Sequence, residues 1–67
     1  MTTLDLGTVI ISRRRRVGIR QADLAVLADV SLRTLIAIER GTANPSFETL
    51  SKIADVLGME LTLVMKS

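Results

Sequence analysis

The chain has 67 residues with no cysteine and no histidine. That limits it to one small domain and removes disulfides and the usual zinc ligands as sources of stability. A hydrophobic fraction of 48% and a mean hydropathy of +0.40 are high for a small soluble monomer, and point to apolar surface hidden against another chain. With His, Cys and Tyr all absent and no glycine-rich phosphate loop, an enzyme is not expected, nor is any cofactor or metal. Asp5, Asp23, Asp29, Glu48, Asp55 and Glu60 read as scattered surface or capping acids.

No apolar run approaches the roughly 20 residues that span a bilayer. Near the N-terminus the apolar stretch Val9 to Ile11 is too short for a secretory signal, and its positive charges follow rather than precede it. These features suggest a cytoplasmic chain. The net charge of +2 is unevenly spread: residues 1–40 hold seven Arg against four acids, and residues 41–67 two Lys against three acids. Such a distribution suits one basic face for phosphates.

Helical periodicity predicts a first helix over residues 4–17, with Leu6, Ile10, Arg13 and Val17 on one stripe and Val9 and Arg14 at its edges. A second helix is expected over residues 21–28, with Leu24, Leu27 and Ala28 inward and Ala25 small enough for close approach. After the turn Asp29-Val30-Ser31, a third helix runs over residues 32–40 with Ser31 as N-cap. A fourth follows Pro45-Ser46 over residues 47–57, burying Phe47, Leu50, Ile53, Ala54 and Leu57. Gly18, Gly41 and Gly58 each stand where a helix would stop. Phe47, the one aromatic residue, reads as a core anchor rather than a base-stacking platform, which favours duplex DNA over RNA or single strands.

Residues 59–66 alternate instead, with Met59, Leu61, Leu63 and Met65 on one side. A lone strand leaves its backbone groups unpaired, so pairing with the same strand of a second chain in a two-fold homodimer is the natural completion. The competing reading is a short fifth helix or a frayed tail. The expected architecture is therefore an all-α bundle of four or five helices in a single domain, residues 1–67, with residues 59–66 as a dimerisation strand.

The third helix concentrates the functional argument. Leu35 and Ile38 point to the core, while Leu32, Arg33, Ile36, Ala37 and Arg40 spread over the opposite face. Arg33 can reach guanine O6 and N7, and Leu32, Ile36 or Ala37 a thymine methyl. Taken alone, that helix fits equally a solvated surface arginine and a protein interface. The second helix, three-residue turn and third helix have the spacing of a helix-turn-helix, in which the later helix reads bases and the earlier one braces the backbone.

The segments Gly18-Ile19-Arg20-Gln21-Ala22-Asp23-Leu24-Ala25, Val30-Ser31, Ile38-Glu39-Arg40-Gly41 and Asn44-Pro45-Ser46 resemble the Xre/phage-repressor helix-turn-helix family, over residues 6–58. The resemblance implies that Gln21 contacts a DNA phosphate, that Ser31, Leu32, Arg33 and Ala37 face the groove, and that Thr34 and the loop Thr42 to Asn44 lie near the DNA backbone. Arg40, on the outer face of the third helix, and Arg20, standing where a cap is usual, are further basic candidates for DNA contact. Three residues depart from the pattern. Arg20 replaces the usual Ser or Thr cap of the second helix. Asp29 replaces a turn glycine, tolerable because Asp visits the left-handed region readily. Arg13 takes a usually apolar place, its stem covering the core while its head reaches outward.

Four consecutive arginines, Arg13 to Arg16, cannot share one helix face. Arg15 and Arg16 point outward, whereas Arg14 at the stripe's edge needs a partner. Glu39, beside Leu35 and Ile38, is the expected one, and the resembling family pairs these positions in a structural ion pair. A nuclear-localisation signal fits poorly inside a helix.

The sequence therefore reads as a double-stranded DNA-binding transcription regulator, with two recognition helices about 34 Å apart on a palindromic operator. The stretch Leu61-Thr62-Leu63-Val64 is also similar to the end of HipB-type antitoxins, which repress their own operon and bind a kinase-like toxin. This resemblance implies a repressor and antitoxin, and with no room for a sensing domain any regulation would come from a second protein. The alternative class is a protein-interaction module that uses the third helix without DNA; steep salt dependence separates the two.

Overall fold

A computed structural model describes residues 2–65. Its helices are α1 (Thr3–Val17), α2 (Gln21–Leu27), α3 (Leu32–Arg40) and α4 (Phe47–Val56). All four lie within two residues of the ranges expected from periodicity, and three of them, α1, α3 and α4, open on a side-chain cap. Ser31 Oγ accepts the Thr34 backbone N–H at 3.0 Å, and Ser46 Oγ accepts that of Thr49 at 3.1 Å, so α3 and α4 open on serine caps. The start of α1 carries a device the periodicity did not reveal. Thr2 Oγ1 accepts the Asp5 N–H at 3.1 Å while the Asp5 carboxylate accepts the Thr2 N–H at 3.0 Å, a reciprocal capping box. Asp29 has φ 55°, the left-handed conformation expected of a residue in that turn.

The core gathers Ile10 from α1, Leu24 and Ala25 from α2, Leu35 and Ile38 from α3, and Ile53 and Ala54 from α4, with Ala28 and Leu57 at helix ends. Three residues assigned to it stand elsewhere. Leu27 is 64% exposed: burying Leu24, Ala25 and Ala28 centres the stripe of α2 so that Leu27, at about 100° per residue, falls off its edge. Phe47 is 71% exposed: at about 100° per residue it stands about 60° from Leu50 and about 120° from Ile53, which face the core, so it falls at the edge of the stripe. Val17 is also exposed, in the last turn of α1. Arg13 is half-buried, and its head, expected to reach outward, turns to the chain instead: Nε donates to the Leu57 carbonyl at 2.8 Å, satisfying a free acceptor at the end of α4.

α1 lies chiefly against α3. The crossing is close enough that a Cβ on Gly7 would stand 2.5 Å from the Glu39 carbonyl oxygen and 2.6 Å from that of Ile38. Only glycine lets the two backbones meet in this way. At the near end of the crossing, Thr3 Oγ1 donates to the Gly41 carbonyl at 3.0 Å. Gly41 has φ 77°, and a Cβ there would lie 2.8 Å from the Leu4 Cα.

Among the described residues there is no strand and no helix after α4. Residues 59–65 run on irregularly, and Lys66, the last residue of the expected strand, lies outside the described residues. A ladder between two copies needs a second chain, and a single copy offers no neighbouring strand to supply its hydrogen bonds. Within this segment Met59 packs against the core, contrary to a purely outward role, and Leu61 is half-buried. Leu63, Val64 and Met65 are almost fully exposed.

Candidate nucleic-acid interface

Helix α3 is held by its inner face and free on its outer one. Leu35 and Ile38 are buried to within 1% exposure, while Ser31, Leu32, Arg33, Thr34 and Arg40 are exposed. Ala37 and Ile36 are half-buried, so the outer face is narrower than periodicity alone implies. None of the ion pairs among the described residues involves Arg33 or Arg40. The Ser31 hydroxyl donates to Thr34 Oγ1 at 2.8 Å, so these two hydroxyls pair with each other at the entrance of the helix.

The remaining expected contacts sit on the flanks. Arg20 begins α2 with its side chain 90% exposed, 3.6 Å from Asp23 Oδ2, and makes no capping bond to the helix. After α3, Thr42 Oγ1 donates to the Ala37 carbonyl at 3.2 Å; the loop thus starts against the helix, and Asn44 is exposed within it.

Beneath this face lies a polar knot. Glu39 is 5% exposed. Its Oε2 accepts Arg14 Nε at 2.8 Å, and its Oε1 accepts Arg14 Nη2 at 3.1 Å. Arg14 Nη1 also donates to the Ile19 carbonyl at 3.1 Å. A bidentate guanidinium on a carboxylate is the strongest common charged contact, and here it ties α1 to α3. Gln21 joins the knot through Nε2, which donates to Glu39 Oε1 at 3.0 Å. The start of α2 is therefore fastened to α3 by the same carboxylate, a link between residues that sequence reasoning had given separate duties. No buried side-chain nitrogen or oxygen among the described residues lacks a partner, so the knot carries no desolvation debt of the kind that isolated buried charges incur.

The sequence model of the helix-turn-helix family matches residues 10–64. The chain belongs to the Xre-type helix-turn-helix family. It is 38% identical over 55 residues to an uncharacterized HTH-type transcriptional regulator of Haemophilus influenzae, covering 82% of this chain and 56% of the relative. A regulator of the same description from Methanothermobacter thermautotrophicus is 38% identical over 55 residues, 82% of this chain and 80% of its own length. The HTH-type transcriptional regulator DdrOP3 of Deinococcus deserti is 41% identical over 46 residues, 69% of this chain and 36% of that protein. The chain thus spans only part of the regulators it matches.

On another face of the bundle, α1, α4 and the segment after Gly58 enclose an apolar cleft of about 250 Å³, lined by Leu6, Val9, Leu50, Ile53, Met59 and Leu61 among others. It opens toward a second groove formed by Phe47, Leu50, Leu61, Thr62 and Leu63. No group of three or more carboxylates that could hold a metal ion occurs among the described residues. Nor is any described helix long and apolar enough to cross a membrane.

Proposed function

We propose that this chain is a sequence-specific double-stranded DNA-binding transcription regulator that inserts α3 into the major groove. The observation that carries the reading is the asymmetry of α3: its inner face is locked by Leu35, Ile38 and the Glu39 knot, while Leu32 and Arg33 stand exposed with no ion pair. A rigid helix with an unspent guanidinium on its outer face suits bidentate contact with guanine. Ser31, Leu32 and Ala37 then line the groove beside Arg33, and Arg20, Gln21, Thr34, Arg40, Thr42 and Asn44 approach the phosphates. The names of the relatives support the same reading, since each is described as an HTH-type transcriptional regulator.

In this reading the whole chain is one DNA-binding domain, and two copies, joined through residues 59–66, place their recognition helices on a palindromic operator. The regulator acts as a repressor by occupying that site. The likeness to HipB-type antitoxins adds a kinase-like toxin as partner, which co-purification of a second polypeptide checks.

Selection of binding sites from random duplex DNA tests the central claim, with a two-fold symmetric consensus as the expected result. Replacing Arg33 by Ala should then weaken binding at the preferred base pair by about 1–3 kcal/mol and relax selectivity there. An Arg33→Ala protein as tight and as selective as wild type removes α3 from the reading role.

A further inference from the structure

The apolar face beside α4 has a shape that the dimer reading alone does not explain. Phe47 is 71% exposed, Leu63 101%, Val64 83% and Met65 93%. The groove that Phe47 and Leu50 form with the chain's own Leu61, Thr62 and Leu63 is continuous, through Leu50, Leu61 and Thr62, with the cleft that Val9 lines. Among the described residues Glu60 is the sole charged one lining either, so the described lining offers no cation to a phosphate backbone or an acidic peptide.

We infer that the open side of this groove is the seat of residues 63–65 of a second copy, packed beside the wall that the chain's own Leu61 and Thr62 supply, with Phe47 as the anchor of the interface. The inference rests on the homodimer in the proposed function and says which surfaces make it. Two features select a second copy as occupant. The face combines a groove, walled by Phe47 and Leu50 and by the chain's own Leu61 and Thr62, with exposed apolar side chains at its rim, Leu63 to Met65. A two-fold axis lets each copy lay its rim against the other's Phe47, and that contact closes on itself. The area is also of the right order. An aromatic side chain alone buries about 150–250 Å², so Phe47 with Leu63, Val64 and Met65 leaves a few hundred Å² of apolar surface per chain. That matches the patches of about 300–600 Å² that on a single chain are often functional.

Edge-to-edge pairing of residues 59–66 leaves Phe47 in water, whereas packing Leu63 to Met65 of the second copy against it buries it. Sedimentation equilibrium on the full chain and its variants separates the two. Wild type is expected to be a dimer. Phe47→Asp and Leu63→Asp should each weaken association about a hundredfold, as loss of a central apolar anchor does. Helical circular dichroism should persist in both, because each side chain is exposed in the single copy. The chain has no cysteine, so mixing a Phe47→Cys chain with a Leu63→Cys chain gives a direct geometric readout that is independent of stability. A disulfide between the two different chains is the expected product. A wild type that stays monomeric, a Phe47→Asp protein that dimerises as wild type does, or cross-linking of Leu63→Cys chains only with each other would each overturn the inference. A monomeric wild type that still retards duplex DNA leaves the role of α3 standing and removes only this interface.

Discussion

Two faces of the bundle are finished by different physics. At the α1–α3 crossing every requirement is met within one chain: backbones in contact through Gly7, a buried carboxylate with three donors, and a threonine closing onto Gly41. At the α4 face the chain leaves an aromatic ring, a cleft and an apolar segment in water. The first region is closed and directional, so it fixes where α3 stands. The second is open and non-directional, as surfaces awaiting a partner are. A contrast of this kind predicts where substitutions will act on the fold and where they will act on association.

The largest effect on stability is expected from Glu39→Ala. It leaves the Arg14 guanidinium buried without its counter-charge and frees the Gln21 amide, and breaking a buried pair in this way costs about 3 kcal/mol. Chemical denaturation should show the loss, and DNA affinity should fall with it because α3 loses its tie to both α1 and α2. Unchanged stability would mean that the knot is ornamental. Gly7→Ala comes next. Its methyl group would press on two backbone carbonyls that cannot swing aside as a side chain can, and overpacking of this sort costs about 2 kcal/mol. If thermal unfolding is unaltered, the two helices are further apart than described, and the contrast between the two faces weakens.

Much of this architecture could be read in the residues, for reasons that differ by element. α3 and α4 were legible because serine caps and regular apolar spacing coincide, and local signals suffice when they agree. The positions that went astray, Val17, Leu27 and Phe47, lie at helix ends or stripe edges, where periodicity places a side chain only to within a third of a turn and tertiary contacts decide the rest. Arg13 was misjudged in its head group because the acceptor it finds, the Leu57 carbonyl, is supplied by a distant helix end. Gly7 had a signal that went unweighed: a glycine inside an apolar helical stretch is costly and usually marks a close approach. Thr2 and Asp5 carried the spacing of a capping box in the same way. In the candidate site, the outward placement of Leu32 and Arg33 followed from the 3.6-residue period. The bond from Gln21 to Glu39 did not, because it joins residues 18 apart through a fold that no local pattern specifies. The alternation in residues 59–66 is real as a pattern, but the hydrogen bonds of a strand belong to whatever lies beside it.

The smallest expected effect is also the most specific, and it concerns the start of α1, where the closed face begins. Hydrogen bonding from the Thr2 backbone N–H, and then from its side chain, holds the Asp5 carboxyl below its ordinary value of 3.8. A carboxyl with a lowered folded-state value binds its proton more weakly than in the unfolded chain. It therefore adds stability above the ordinary value and loses that contribution as pH falls through the folded one. Asp5→Asn keeps the size and an accepting oxygen but removes the charge. Its melting temperature should lie slightly below wild type at neutral pH, and the gap should close as acid protonates Asp5 in the wild-type chain. All other titrating groups are common to both proteins, so the difference isolates this one. A gap that stays constant down to strongly acidic pH would show that the charge contributes nothing to the cap, and that the reciprocal bonds at Thr2 act as neutral hydrogen bonds alone.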